Sequence, residues 1–395
     1  MKITSIKVYI VKIAPVDPID ADGRRYLTDN YYIHEGKRSC VYSTHLETVL
    51  VKLTTDEGVT GWGEVLAPTH PEVAAALLKH HLAPLALGED PLRTQLLWDR
   101  ILNTLRERGY GGGYLIDAMA GLDIACWDIK GKALGLPVST LLGGPVRDKL
   151  RCYRSGMPGN STQERLDNVA RLVAEGFDAL KIHTLGQGKA ADLALLQAIR
   201  ARYDPDRLAL MYDAHGKPEL AEACAIGRAL GELDVLFFES PLVFEDRDGH
   251  RKLAEAIDPA VAVGEPLRTI YTFRDWLAAG AAEVVQPDMG RNGITEMMRI
   301  AHLAEAYHVP FAPHLSAHHA VGHAASIQVS AAAPNFMIYE FPPDALRASS
   351  VYADVSFRLE GGFLRTGNEP GLGVVIDEQT LGKFTTESFE LGGAR

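Results

Sequence analysis

Cysteine is scarce in this chain: four in 395 residues, Cys40, Cys126, Cys152 and Cys224, scattered without metal-ligand spacing. A chain this long with so few does not rest on a disulfide framework, which fits a reducing compartment. Long apolar runs are also missing, and none reaches the length of a membrane span. The opening, MKITSIKVYIVKI, alternates like a strand and lacks the apolar stretch and small-residue cleavage site of a signal peptide. A cytoplasmic protein with no membrane partner is expected. Positive charge is short as well. The formal net charge of −11 argues against a nucleic-acid partner, which would require a basic face. It leaves an anionic substrate open, because a bound cation can reverse the local sign.

What is there divides into two textures. Residues 1 to about 65 read as a strand, a long polar loop and a hairpin. Thr48 to Thr54 alternates, Asp56-Glu57-Gly58 marks the turn, and Val59 to Val65 returns. The loop at 15–38 carries Arg24, Arg25, Tyr31, Tyr32, His34, Lys37 and Arg38, and loops of that length tend to be functional or disordered. Helical patterns follow at about 71–86, 92–108 and 113–134, the last stopping at Gly135. From about Leu150, short apolar runs alternate with helical segments. The runs are Leu150 to Ser155, Ala179 to His183, Leu208 to Asp213, Val235 to Glu239, Val261 to Glu265, Glu283 to Gln286, Val309 to Pro313 and Met337 to Glu340. Near-continuous apolar strands imply burial on both faces, hence a parallel sheet with helical crossovers. Eight of them, with no dinucleotide fingerprint after the first, favour a closed barrel.

Three consecutive runs end in a carboxylate: Asp213, Glu239 and Glu265. They are spaced by one strand–helix unit, 26 residues from 213 to 239 and again from 239 to 265. Ends of consecutive barrel strands line one mouth, where barrel active sites lie. Three carboxylates there repel unless a cation neutralises them, and oxygen-only ligation selects a hard ion such as Mg²⁺. A zinc hydrolase would want histidine ligands in their place.

Asp288 follows the sixth run and His314 the seventh, so their ends are neighbours. A carboxylate beside an imidazole fixes its tautomer and raises its basicity, as suits a general base. Lys181 and His183 stand two apart on the second strand and share a face. A lysine in an apolar strand needs a buried partner, which the carboxylate cluster would provide. His215, two after Asp213, can also face the mouth. Glu340 ends the eighth strand, where it can donate to substrate if protonated or neutralise a neighbour. His318, His319 and His323 crowd the same stretch as His314.

Taken together these residues resemble the enolase superfamily, in its mandelate racemase-like branch. The resemblance runs through the GWGEV hairpin at 61–65, AGLDIACWDIKGKALG at 120–135, LLGG at 141–144, Lys181-x-His183, Asp213-x-His215, Phe238-Glu239-Ser240-Pro241, Gly264-Glu265-Pro266, Gln286-Pro287-Asp288 and Pro313-His314. It covers nearly the whole chain. It implies an α/β fold: a modified TIM barrel, (β/α)₇β, at 136–345, under an N-terminal α+β capping domain at 1–135 that the C-terminal segment 346–395 completes. Loops at about 15–38 and 62–70 would close over the substrate. By matched position, Asp213, Glu239 and Glu265 would hold Mg²⁺, Asp288 and His314 would form the base dyad, Lys181 would assist on the other face, and Glu340 would hydrogen-bond the substrate. A symmetric homo-oligomer is also implied.

Two departures bear on the reaction. Racemases of this branch usually carry a second lysine where His183 stands. Position 215 is often Asn in the family, whereas Asp213-Ala-His215-Gly216 resembles sugar-acid dehydratases of the galactonate dehydratase type. The expectation is therefore a Mg²⁺-dependent dehydratase of a small-molecule sugar acid, aldonate or aldarate. His314 would remove the α-proton, and His215 or His183 would protonate the leaving 3-hydroxyl, giving a 2-keto-3-deoxy acid. Racemisation, epimerisation or cycloisomerisation through the same enediolate is the alternative. A non-catalytic sugar-acid binder is another, against which Asp288, His314 and Lys181 argue.

Overall fold

The computed structural model describes residues 1–14, 23–34, 38–159, 161–183 and 188–393. The opening strand, Ile3–Ile13, pairs antiparallel with Leu46–Thr55, which turns at Asp56–Gly58 into Thr60–Val65. Thr385–Gly392 pairs along the other edge of Ile3–Ile13, so the far end of the chain completes a four-stranded antiparallel sheet. Helix Tyr114–Leu134 lies against this sheet and is buried along most of its length. The glycines of the GWGEV hairpin make that contact: a Cβ on Gly63 would stand 1.8 Å from the carbonyl oxygen of Gly121, and one on Gly61 2.3 Å from that of Ala125. The helix stops at Gly135, in the left-handed region at φ 68°.

Two segments of this first half differ from expectation. Part of the stretch read as a loop at 15–38 forms short antiparallel strands, Arg24–Tyr26, Tyr31–His34 and Arg38–Ser43. Lys37 lies outside the described residues. The strands escape an aliphatic reading because rings hold them: Tyr32 packs on Tyr26, His34 and Tyr42, and Arg24 lies over its face. The helix expected at 71–86 is instead Pro71–Leu77 and Ala83–Ala86 joined by a π-turn, Leu78–Leu82. Pro84 has no N–H to continue the α ladder, and a widened turn accommodates the loss.

The second half carries parallel neighbours in the order Lys149–Ser155, Ala179–His183, Ala209–Asp213, Val235–Glu239, Ala260–Val263 and Val284–Val285. The expected seventh strand is reduced to bridges: Phe311 pairs with Val285 on one side and Phe336 on the other. Pro310 and Pro313 flank it, and neither can donate to a ladder. Tyr339–Phe341 then pairs parallel with Cys152 to Arg154 of the first strand, completing the ring of pairings. Its interior shows the same closure. Tyr153, Ala179, Met211, Phe237, Ala262, Val284, Ala312 and Ile338, one side chain from each of the eight segments, form one buried cluster of alternating bulk. The helices pack outside this ring. Part of the C-terminal segment, Phe363–Arg365, also pairs antiparallel with Lys149 to Arg151. No helix among the described residues is long and apolar enough to cross a membrane.

Candidate active site

The parallel register brings the sequence-selected residues to one end of the ring. His183 pairs with Asp213, Asp213 with Glu239, Ser155 with Lys181, Tyr153 with Glu340, and Asp288 with His314. Glu265 stands two residues beyond Ala260–Val263. Gly264, before it, packs so close to the next strand that a Cβ would meet the backbone of Gln286 at 2.5 Å.

Lys181 is the hub of one cluster. Its Nζ lies 2.8 Å from each oxygen of Glu239 and 2.8 Å from Oε1 of Glu340, and all three side chains are buried. Burial disfavours the ammonium charge, but Glu239 and Glu340 outweigh it and hold Lys181 protonated. Glu239 also accepts from Nε2 of Gln286 at 2.7 Å. Burial, with Asp213 and Glu340 nearby, pushes its carboxyl up to about 7 despite Lys181. Asp213 and Glu340 add negative charge beside it that a further cation would relieve. Glu340 accepts from Ser155 Oγ at 2.6 Å and from the backbone of Leu315 at 2.8 Å. Lys181 and His314 overcome its burial and hold it down at about 2. In that state it is an acceptor rather than a donor.

Beside this cluster, Asp213 lies between two imidazoles. Its Oδ2 is 3.2 Å from Nδ1 of His183 and 3.2 Å from Nδ1 of His215, and its Oδ1 accepts the backbone N–H of His215 at 2.8 Å. The rings stack with an interplanar angle of 16°, and Nε2 of His183 lies 2.9 Å from Ser155 Oγ. Buried though it is, Asp213 is held well below the ordinary carboxylate range by His215, His183 and Lys181. Among the described residues, the group offering three ligand atoms within 4.8 Å of one another is His183, Asp213 and His215. Asp213 and Glu239, in register on adjacent strands, offer a hard cation anionic oxygens, and Glu265 follows on the next.

Four places round the ring from the Asp213 strand, Nδ1 of His314 lies 2.8 Å from Oδ2 of Asp288, in full burial. Donating from Nδ1 to the carboxylate leaves Nε2, 3.8 Å from Glu265 Oε2, as the nitrogen that accepts a proton. Burial presses the imidazole towards neutrality, but Glu265 and Asp288 prevail and raise it to about 9. Asp288 also caps helix Met289–Ala306 through the N–H of Gly290.

Sequence reasoning passed over four residues that touch these groups: Ser155, Gln286, His318 and Glu64. Ser155 and Gln286 sit at strand ends, the position that singled out the carboxylates, and could have been found by the same rule. Nothing local marks His318 among three neighbouring histidines, nor links it with Glu64 far upstream.

Residues 164–380 match the family described as enolase C-terminal domain-like, and residues 35–143 match the mandelate racemase / muconate lactonizing enzyme N-terminal domain. The chain is 35% identical over 347 residues to a D-galactonate dehydratase of Variovorax paradoxus, covering 84% of this chain and 90% of that protein. It superposes with a TM-score of 0.91 on a member of the enolase superfamily from Agrobacterium tumefaciens, 30% identical, covering 97% of this chain and 99% of that one. It superposes with a TM-score of 0.81 on the 3,6-anhydro-D-galactonate cycloisomerase of Zobellia galactanivorans, 27% identical, covering 98% and 100%.

Proposed function

Because the chain belongs to the enolase superfamily, in its mandelate racemase / muconate lactonizing enzyme family, we propose that it is a hydro-lyase acting on a sugar acid and dependent on Mg²⁺. Asp213, Glu239 and Glu265 would hold the ion, and their fit is supported by their succession at the ends of consecutive strands and the all-oxygen donor set. When bound, Mg²⁺ supplies positive charge to the substrate carboxylate as the α-proton leaves.

The chain's own groups then divide the proton transfers. His314 Nε2 takes the α-proton, with Asp288 fixing its tautomer. His215, or His183 stacked beside it, gives a proton to the 3-hydroxyl as the C–O bond breaks. Water departs, and the enol left behind tautomerises to the 2-keto-3-deoxy acid. Lys181 positions Glu239 and Glu340. The observation that carries this reading is the pair of imidazoles on Asp213, placed four strands from the His314–Asp288 pair. Elimination requires an acid and a base at separate atoms, whereas racemisation at one carbon requires two bases across it.

The likeness to a cycloisomerase favours a second reading, ring opening or closure through the same α-proton removal. A stereochemically complete set of aldonic and aldaric acids, incubated with Mg²⁺ and assayed for 2-keto-3-deoxy product, tests the first. Exchange of the α-proton with solvent deuterium without keto acid would favour racemisation, epimerisation or cycloisomerisation, and a ring-opened or ring-closed product would single out the second.

A further inference from the structure

Asp288 serves two imidazoles. Its Oδ2 pairs with His314, while its Oδ1 lies 2.9 Å from Nε2 of His318 and also accepts the N–H of Gly290 at 2.9 Å. The other nitrogen of His318, Nδ1, faces Oε1 of Glu64 at 3.6 Å. Glu64 lies on Thr60–Val65, the hairpin strand of the N-terminal sheet. His318, Glu64 and Asp288 are all fully buried. The ring of His318 fills a slot: a Cβ on Gly290 would stand 2.4 Å from its Cε1, and one on Gly322 2.3 Å from its Nδ1. Glu64 accepts the backbone N–H groups of His319 at 2.6 Å and Gly322 at 2.8 Å, so the hairpin also grips the start of helix Ala320–Ala332.

Charge balance assigns a proton to this ring. Asp288 has His314 on its other oxygen, but with His318 neutral Glu64 would lie buried with no cation facing it, accepting only from the Thr48 hydroxyl and backbone N–H groups, an arrangement proteins avoid. The adjoining His319 and His323 are pressed towards neutrality by burial and do not supply the charge. An imidazolium at 318 donates to Asp288 Oδ1 and turns its other N–H towards Glu64 at 3.6 Å, leaving Asp288 Oδ2 aimed at His314.

We propose that Glu64 and His318 are positioning residues for the catalytic base: the N-terminal domain supplies a carboxylate that holds the imidazolium that orients Asp288. The proposal rests on the reading of His314 as base, and its consequence is that the base is complete only when the hairpin is seated on the barrel.

The test uses the full chain, labelled with [¹⁵N]histidine, together with Glu64→Gln and His318→Gln. Nuclear Overhauser contacts to Gly290 and Gly322 identify His318 in the wild type even if a variant does not fold. Both its ring nitrogens should read as protonated at pH 8, and Glu64→Gln should return the ring to a neutral form. A neutral ring in the wild type overturns the proposal whatever the enzyme's substrate. On any sugar acid that the wild type dehydrates, each variant should lose roughly 10–100-fold in kcat, with KM changed less than about threefold. Wild-type kcat in either folded variant overturns the positioning role while leaving the dehydratase reading intact. A wild type inactive on every acid defeats that reading instead, and the nuclear magnetic resonance result still decides this one.

Discussion

Lys181 donates to both carboxylate oxygens of Glu239, at 2.8 Å each, in an ion pair sealed from solvent. Removing the cation takes from Glu239 and Glu340 the ammonium that offsets their burial. Lys181→Met should therefore cost about 3–5 kcal/mol of stability in metal-free protein, read as a lower urea midpoint. Added Mg²⁺ should recover part of it, since an ion held at the proposed site would favour the folded state. An unchanged midpoint would show that the carboxylates do not rely on Lys181.

The two histidine sites should separate the half-reactions. His314→Asn should abolish α-proton exchange and turnover together, a loss on the order of 10²–10⁴-fold in rate. His215→Asn should keep exchange in deuterated solvent while losing 2-keto acid formation. If His183→Asn shows that split and His215→Asn does not, the acid is His183.

Gly264 admits Glu265 to the site. Gly264→Ala would drive a methyl group into the backbone of Gln286, which lies 2.5 Å from the ideal Cβ position. The strands must part, at a cost of about 1–3 kcal/mol for overpacking, and Glu265 moves with them. Mg²⁺ affinity, measured by calorimetry, should fall at least tenfold. Unaltered affinity would remove Glu265 from the proposed ligand set.

Alkaline pH should weaken the fold. His314 and His318 are raised to about 9 and about 10: burial opposes their charge, but Glu265 and Asp288 around the first, and Asp288 and Glu64 around the second, prevail. The unfolded chain releases these protons near about 6.5, so the folded state binds more of them between there and pH 9 to 10. Their stabilisation is complete below the unfolded value and is lost as pH rises through the folded ones, by about 1.4 kcal/mol per pH unit for each proton. Denaturation of metal-free protein at pH 7, 8 and 9 should follow that slope. In His318→Gln it should be shallower by one proton, and identical slopes would refute the assignment.

Strand ends were the legible part of this molecule, because a buried parallel strand writes itself as a contiguous apolar run and its last residue is then known to face the mouth. That rule located Asp213, Glu239, Asp288, His314 and Glu340 without any structure, and the register places them at one end of the ring. It overextended the seventh strand, where two prolines cut the ladder to Phe311. It was blind to Arg24–Tyr26 and its partners, whose cohesion comes from stacked rings rather than aliphatic alternation. It could not see Glu64 with His318, since a contact between domains depends on how two separately patterned surfaces meet. Nor does spacing alone show that His183 and His215 share one carboxylate oxygen.

Strand Ile3–Ile13, interior to the four-stranded sheet, takes its outer partner from Thr385–Gly392. On the ribosome the first of these emerges early and the second only after the whole barrel has been made. Until then one edge of the N-terminal sheet offers unpaired backbone groups, the condition in which strands recruit foreign chains. Synthesis interrupted after the barrel would release a chain with the carboxylates of the proposed metal site present and an adhesive border exposed, so premature termination should yield aggregates or chaperone clients rather than a partly active enzyme.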